Sequence, residues 1–141
     1  MITVIITDKQ SATVQKGALM RVTRQRTAIL EFLRSRRHHF SATQIYDAVR
    51  EKIPNISLGT VYRNLSQLIE DGEIISVETS DKCVYYDGFT AGHAHFVCEG
   101  CKEIYDFPLE NTSSEPEKAG FTVSNQRVVY YGRCSKCKCT K

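Results

Sequence analysis

The sequence lacks the features that direct a protein into or across a membrane. Its longest apolar run falls far short of the roughly 20 residues that a helix needs to span a bilayer. The N-terminal MITVIITD has no basic flank and is too short for a signal peptide. We therefore expect a cytoplasmic protein without a membrane partner.

An internal repeat is also lacking, which argues against an architecture of stacked repeats. No segment stands out as the wall of a pocket for an organic substrate, so we expect neither an enzyme nor an organic cofactor. Hydrophobic residues make up 41% of the 141 residues and charged residues 25%. This composition is typical of a folded chain, and the length suits one ordinary domain or two small ones.

Six cysteines are present, and the reducing cytoplasm favours metal binding over disulfides. Four of them form two C-x2-C pairs, which are Cys98 with Cys101 and Cys134 with Cys137. Two such pairs suit a closed tetrahedral zinc site, because each pair presents two sulfurs at a tight turn. Cys139 extends the tail to C-x2-C-x-C and is a competing ligand. Cys83 is expected to be a half-buried strand residue.

A second set of candidate ligands surrounds the first cysteine pair. Asp87, His93, His95 and Asp106 offer nitrogen and oxygen donors within one short stretch. Such a mixed donor set fits divalent iron or manganese, with zinc as a competitor. The simpler interpretation is that the H-x-H motif merely extends the zinc-binding hairpin. The sequence thus predicts one metal for structure and a second for sensing.

The two halves of the chain differ in charge. Residues 1–72 carry 11 basic against 6 acidic side chains, a net charge of +5, whereas residues 73–141 carry 8 against 10, a net charge of −2. A basic first half is expected if that half meets a polyanion such as DNA. An ordinary solvated surface is the alternative.

The N-terminal half has the pattern of three helices followed by a hairpin. The runs EIISVET and KCVYYD are rich in β-formers and predict a hairpin with its turn at Ser80-Asp81. Gly72 is expected to end the third helix in a left-handed conformation. Three helices and a hairpin in this order predict a winged helix-turn-helix. The expected N-caps are Thr23, Ser41 and Ser57, and residues 9–18 are a further candidate for a short helix.

The third helix presents polar side chains on the face opposite its apolar stripe. Hydrogen-bonding residues that begin in the first turn are what a recognition helix needs to touch base edges and phosphates. A solvated face is again the alternative, but the hairpin and the basic charge favour DNA binding. The residues expected to contact DNA are Arg24, Ser57, Thr60, Tyr62, Arg63 and Asn64.

The C-terminal part predicts strands. HFVCE and EIYDF flank the first cysteine pair as a second hairpin, and residues 121–132 are expected to form a third long strand. Residues 107–120 are expected to form a loop with at most one helical turn. Gly88 and Gly92 mark a flexible hinge. The sequence therefore predicts an α+β fold with a winged-helix domain at 1–86, a hinge at 87–93 and a small α/β domain with the four-cysteine zinc site at 94–141.

Several stretches together carry a resemblance to a known family. They are RVTRQRTAIL (21–30), HFSATQIY (39–46), PNISLGTVYRNL (54–65), HAHFVCEGC (93–101) and the closing C-x2-C. From about residue 22 to residue 137 the chain resembles the ferric uptake regulator (Fur) family of bacterial metal-dependent repressors, and most closely its peroxide-sensing PerR branch. The resemblance implies a homodimer built through the domain at 94–141 and bound to a palindromic operator in double-stranded DNA.

The resemblance also implies roles for the candidate ligands. The four paired cysteines correspond to structural zinc ligands. A regulatory Fe²⁺ or Mn²⁺ site would be formed by His39, Asp87, His93, His95 and Asp106. Peroxide would then oxidise His39 or His93 at the ferrous site, and the protein would release its metal and leave DNA.

Asp106 favours a peroxide sensor, because iron-responsive members usually have Glu at this position. Gly92 and Asn125-Gln126 also stand where many iron sensors carry a further histidine site. An iron-responsive regulator remains the alternative within the family. A non-haem iron enzyme is the alternative from another class, since two histidines and a carboxylate also form an oxygenase triad. A zinc-stabilised interaction module that binds no DNA is the third.

Overall fold

The computed structural model describes residues 2–4, 23–109, 115–124 and 126–138. Backbone contacts divide the chain into two units. The helical unit spans Ala18–Ala91, and the sheet unit combines Gly92–Lys141 with the N-terminal strand. Within the described part of the chain, no helix has both the length and the hydropathy that crossing a bilayer requires. The predicted α+β fold is confirmed.

Three helices form the core of the helical unit. They are α1 (Arg24–Arg34), α2 (Ala42–Lys52) and α3 (Leu58–Glu70), and each begins after its predicted N-cap. The Thr23 and Ser57 side chains accept hydrogen bonds from the third backbone N–H of their helices. Ser41 forms the full capping box with Gln44. Each cap supplies an acceptor to an N–H that the helix itself leaves unpaired.

The end of α3 also matches its prediction. Gly72 has a φ of +72°, and the N–H groups of Gly72 and Glu73 donate to the carbonyls of Ile69 and Leu68. This is a Schellman ending, in which a left-handed glycine lets the chain turn back towards the core. Residues at helical spacing then fill that core, with Ile29, Leu33, Ile45, Val61, Leu65 and Leu68 all fully buried.

A three-stranded sheet completes the helical unit in the order β2-β4-β3. Its strands are β2 (Phe40–Ser41), β3 (Ile75–Glu78) and β4 (Val84–Asp87). The antiparallel pairing of β3 with β4 confirms the predicted wing. The short strand β2 was not predicted and pairs with β4 on its other side. The prediction for Cys83 is wrong, because this residue precedes β4 and is exposed.

The sheet unit contains four strands in the order β1-β7-β5-β6. These are β1 (Ile2–Val4), β5 (His93–Cys98), β6 (Ile104–Pro108) and β7 (Val128–Gly132). The pairing of β5 with β6 confirms the predicted hairpin around the first cysteine pair. The long strand predicted at 121–132 is wrong in extent, because only its C-terminal part is a strand. That part runs parallel to β5 rather than forming a meander.

Two single-turn helices, α4 (Glu115–Lys118) and α5 (Ser135–Lys138), complete the sheet unit. The helix α4 is the one turn that was expected between the second and third strands. The candidate helix at 9–18, the competing ligand Cys139 and Asn125 lie outside the described residues.

Candidate metal centres and DNA-binding surface

The two cysteine pairs form one cluster in the sheet unit. The Sγ atoms of Cys98, Cys101, Cys134 and Cys137 all lie within 4.8 Å of one another. A zinc ion with bonds of about 2.3 Å holds tetrahedral sulfurs about 3.8 Å apart. The Sγ atoms of Cys101 and Cys134 are separated by 3.8 Å. The four donors therefore fit the tetrahedral zinc site that their spacing predicts.

Parallel pairing brings the two cysteine pairs together. Cys98 ends β5 and is in register with Gly132 at the end of β7. The N–H of Glu99 donates to the Gly132 carbonyl at 2.7 Å, which carries the pairing one step past the strands. Both C-x2-C turns thus begin near the C-terminal ends of neighbouring strands, at the same end of the sheet. Gly100 provides the room they need, since a Cβ there would stand 2.9 Å from the sulfur of Cys137.

The sulfur cluster perturbs the ionisation of its members in opposite directions. Hydrogen bonds from backbone N–H groups, led by that of Cys134, lower the pKa of Cys98 to about 6. Hydrogen bonding to the sulfurs of Cys134, Cys98 and Cys101 raises the pKa of Cys137 to about 12. Hydrogen bonding to Cys134 likewise raises the pKa of Tyr105 to about 12. Four thiolates at this separation repel one another, and a divalent cation would remove that cost.

A second group of donors lies on the β5–β6 hairpin of the same unit. His93 and His95 are two residues apart on one strand and so share one face of the sheet. Asp106 is directly opposite His95 on β6. The two Nε2 atoms are 3.1 Å apart, and each is 3.7 Å from Oδ1 of Asp106. Bonds of about 2.1 Å separate neighbouring donors by about 3.0 Å around an octahedral ion and about 3.4 Å around a tetrahedral one. The two imidazole nitrogens therefore match the separation around an octahedral ion, and the Asp106 carboxylate lies slightly beyond it.

A third group of donors belongs to the helical unit. Phe40 is in register with Tyr86 in the β2–β4 pair, so one further step places His39 opposite Asp87. Nε2 of His39 is 3.6 Å from Oδ2 of Asp87, and both side chains are buried. Oδ1 of Asp87 accepts the N–H of Phe89 at 2.8 Å. A buried carboxylate is costly unless it is paired and hydrogen-bonded, and a bound cation would supply the pairing charge for Asp87.

Two of these features were missed from the sequence. The strand β2, which sets His39 opposite Asp87, is two residues long and therefore leaves no detectable β pattern. The orientation of Asp87 by the N–H of Phe89 is a local hydrogen bond across two residues, and the Asp87-Gly88 pair was a sequence signal for it. The role of Gly100 was detectable, since a glycine inside a C-x2-C turn indicates a backbone that approaches its partner closely.

Five of the six candidate DNA contacts lie on and beside α3. Tyr62 is 49% exposed and Arg63 is also exposed, so both are available to a ligand. Ser57 and Thr60 hydrogen-bond each other at 2.9 Å in the first turn. The amide of Asn64 donates to the Thr60 carbonyl at 2.8 Å. Three of the six candidates therefore help to build the helix.

Arg24, the remaining candidate for a DNA contact, is exposed on α1. Its guanidinium donates to the carbonyl of Lys52, the last residue of α2, at 3.3 Å. This hydrogen bond satisfies a carbonyl that the end of α2 leaves unpaired. The side chain thus has a structural contact besides any contact with DNA.

A winged helix-turn-helix unit joined to a sheet that carries sulfur and nitrogen–oxygen donor clusters defines a metal-binding winged-helix protein. The chain belongs to the ferric uptake regulator family, whose family model matches residues 17–131. The resemblance deduced from the sequence motifs is thereby confirmed.

Particular relatives connect the chain to the peroxide regulators of this family. It is 36% identical to the peroxide operon regulator of Bacillus subtilis, with 92% of each chain covered. It is 35% identical to the peroxide-responsive repressor PerR of Staphylococcus epidermidis, over 87% of this chain and 85% of that one. The crystal structure of the Campylobacter jejuni peroxide stress regulator covers 80% of this chain and 88% of its own, at 30% identity and a TM-score of 0.70.

A solved ferric uptake regulator has the same fold. The Pseudomonas aeruginosa ferric uptake regulator, determined with manganese, covers 82% of this chain and 90% of its own, at 28% identity and a TM-score of 0.65. The fold is therefore shared by peroxide and iron regulators, and the choice between the two depends on the site.

Proposed function

We propose that this chain is a cytoplasmic, metal-dependent repressor that binds palindromic DNA as a homodimer and responds to peroxide. Zn²⁺ would occupy the four-cysteine cluster and stabilise the sheet unit. Fe²⁺ or Mn²⁺ would be the corepressor. The dimer would form through the sheet unit, whose edge strand β6 carries the exposed Phe107.

The observation that carries the proposal is that each unit holds an incomplete set of donors for a divalent ion. His93, His95 and Asp106 form a three-donor group, and His39 with Asp87 forms a two-donor group. Each group alone leaves a divalent ion short of ligands, whereas five donors leave an octahedral ion one open position. We infer that one ion is shared by both groups.

Sharing an ion explains how metal would control DNA binding. The two donor groups belong to different units of the chain. An ion that needs both groups favours one arrangement of the units, because any other arrangement loses ligands. A nearly complete switch requires roughly 10⁴-fold preference for that arrangement, or about 5.5 kcal/mol. The favoured arrangement would set the spacing of the two α3 helices that a palindrome demands.

The same site supports peroxide sensing. These residues would hold a ferrous ion, which would catalyse the two-electron oxidation of an adjacent imidazole by hydrogen peroxide. One peroxide oxygen would be inserted at a ring carbon, and the other would leave as water. Within the sheet unit, the His93 side chain is 14% exposed and that of His95 is 5% exposed. The carboxylate of Asp106 is more open than either ring. An oxidant that enters beside Asp106 would therefore reach His93 before the more deeply buried His95. We propose His93 or His39 as the oxidised residue; His39 is only 6% exposed, and its inclusion rests on the family resemblance.

The proposal is tested by DNA binding and mass spectrometry on one zinc-loaded preparation. Random duplexes are first selected on the Mn²⁺-loaded protein, and the selected duplex is then used in a gel shift at a stated salt concentration. We expect a twofold-symmetric sequence and binding that requires Mn²⁺ or Fe²⁺. Sub-stoichiometric peroxide should lower binding by the Fe²⁺ form in proportion to the peroxide added, and should leave binding by the Mn²⁺ form unchanged.

Peptide mapping of the same samples identifies what was oxidised. A gain of one oxygen on His39 or His93 would support the proposed sensor. Oxidation confined to cysteine would point to a thiol sensor instead. Retention of DNA binding after peroxide, with loss on iron removal, would favour an iron-responsive regulator. Repeated consumption of an organic substrate would indicate a non-haem iron enzyme, since the proposed sensor reacts only once.

A further inference from the structure

We propose that Gly88 is a positioning residue for the regulatory metal. The close fit of its backbone against the last turn of α1 sets where the carboxylate of Asp87 lies. This inference rests on the proposed function, because it takes Asp87 as a ligand of that metal.

Gly88 is buried and has no room for a side chain. A Cβ at this position would stand 2.8 Å from the carbonyl carbon of Leu33, 2.9 Å from its carbonyl oxygen and 3.0 Å from its Cβ. Two of these atoms belong to the backbone of α1, so no rotation of a side chain relieves the clash. Leu33 is fully buried in the core, so α1 cannot retreat without opening that core. A side chain at Gly88 must therefore displace the chain that follows β4.

The displaced segment is the one that orients Asp87. Oδ1 of Asp87 accepts the N–H of Phe89, while Oδ2 is directed towards His39. Gly88 is the middle residue of this turn, so its displacement moves the carboxylate and the donor that orients it. Loss of such an orienting contact at a metal ligand typically weakens metal binding by 10- to 100-fold, about the range we expect here.

Two further contacts fix the same segment to α1 and the residues after it. Nε of Arg34 donates to the Gly88 carbonyl at 3.4 Å, and the guanidinium of Arg37 stacks over the Phe89 ring at 5.0 Å. Both arginines are exposed, and exposed contacts of this kind contribute little. The packing of Gly88 against Leu33 therefore dominates.

The helix α1 also contacts the end of the DNA-reading helix. The guanidinium of Arg26 forms an ion pair of 2.6 Å with Asp71, the C-cap of α3. One rigid helix thus holds both the segment that orients Asp87 and the end of α3. The position of Asp87 relative to α3 is consequently set through α1.

The test compares Gly88→Ala with Gly92→Ala in the full-length, zinc-loaded protein. Gly92 is the matched control, because a Cβ there meets no atom of the described residues within 4 Å and its φ is not positive. Mn²⁺ is titrated, and free Mn²⁺ is followed by electron paramagnetic resonance. We expect Gly88→Ala to raise the Mn²⁺ Kd at least 10-fold and Gly92→Ala to change it by less than about 1.5-fold. An unchanged Kd for Gly88→Ala would overturn the inference.

A second readout separates positioning from damage to the fold. At saturating Mn²⁺, Gly88→Ala should bind the selected duplex within threefold of the unsubstituted protein, although half-maximal binding needs at least 10-fold more Mn²⁺. A binding plateau that stays low at saturating Mn²⁺ would indicate a structural role and overturn the inference. If Gly88→Ala does not fold, Arg34→Met tests the same segment, with a two- to threefold rise in Kd expected and no rise overturning the inference.

Failure of this inference is distinguishable from failure of the proposed function. If the unsubstituted protein binds Mn²⁺ but its affinity for DNA does not depend on Mn²⁺, the proposed function as a metal-dependent repressor is wrong. The Kd comparison between the two glycine variants would still decide the role of Gly88. If the unsubstituted protein responds to Mn²⁺ and Gly88→Ala titrates identically, the repressor stands and the role of Gly88 is wrong.

Discussion

Removal of zinc should unfold the sheet unit and leave the helical unit folded. The two units differ sharply in the amount of apolar side chain that they bury. Among the described residues of the sheet unit, only Ala94, Val97 and Cys98 have buried hydrophobic side chains. The helical unit buries a continuous cluster contributed by all three helices. A small unit with so little core needs another source of stability.

A comparison of free energies indicates that the zinc ion supplies the additional stability of the sheet unit. Burial of a valine side chain contributes about 2 kcal/mol and that of an alanine about 1 kcal/mol. A structural zinc ion contributes about 10–16 kcal/mol in small zinc-dependent folds. Half-buried residues such as Phe96 and Tyr105 also contribute, each by less than a fully buried side chain of the same size. The free energy lost with the zinc ion should therefore exceed the free energy that the remaining contacts of the sheet unit supply.

Hydrogen exchange read by mass spectrometry provides the assay. After chelation of zinc, peptides from β5, β6 and β7 should lose protection, while those from α1–α3 should retain it. The variant Cys98→Ser should reproduce this pattern in the presence of zinc. Cys83→Ser is the matched control, since its thiol is exposed and lies outside the cluster. Cys139→Ser should also retain zinc if the tail pair is Cys134 with Cys137.

Two results would refute this reasoning. Full protection of β5 and β6 in zinc-free protein would show that the strands hold together without the ion. Loss of zinc from Cys139→Ser, with zinc retained by the variant Cys137→Ser, would show that the tail offers a different pair of ligands.

Three further outcomes are expected. Arg26→Ala should lower the free energy of unfolding by about 2 kcal/mol, because its ion pair with Asp71 is only 12% and 22% exposed. Arg34→Ala, whose ion pair is 46% and 32% exposed, should cost less than about 1 kcal/mol, and thermal unfolding compares the two. Arg63→Ala should weaken binding to the selected duplex by about 1–3 kcal/mol in a gel shift if it reads a base, and a smaller loss would exclude base reading. Asp106→Glu should retain Mn²⁺-dependent DNA binding and should slow histidine oxidation, because the longer carboxylate would reach over the open coordination position. The rate of oxygen gain is measured by mass spectrometry, and an unchanged rate would contradict this expectation.

Sequence patterns predicted the helical unit almost completely, because each of its features has a local cause. The N-caps need one side chain at a fixed offset, and the end of α3 needs a glycine at one position. The apolar stripe of α3 repeats every 3.6 residues and admits a single buried face. Local causes of this kind can be recognised in the sequence alone.

The sheet unit was predicted less well, because its strands depend on distant partners. Residues 121–123 are β-formers, but residues 124–127 are polar, and β7 begins at Val128. The pairing of β7 with β5 is parallel and joins segments about 30 residues apart, so no local pattern specifies it. The structure nevertheless groups the four paired cysteines, and groups His93 and His95 with Asp106. Such groupings can be anticipated because metal chemistry restricts which residue types lie together. The strand β2 and the fit of Gly88 against Leu33 required the structure.

The most direct test of the shared regulatory ion is the stoichiometry of Mn²⁺ binding to zinc-loaded protein and to two single variants. His39→Ala removes a donor from the helical unit, and His93→Ala removes one from the sheet unit. One shared ion predicts a single Mn²⁺ per protomer and a large loss of affinity in both variants, together with the loss of Mn²⁺-dependent DNA binding. Two Mn²⁺ per protomer, with each variant losing only one of them, would contradict a shared site.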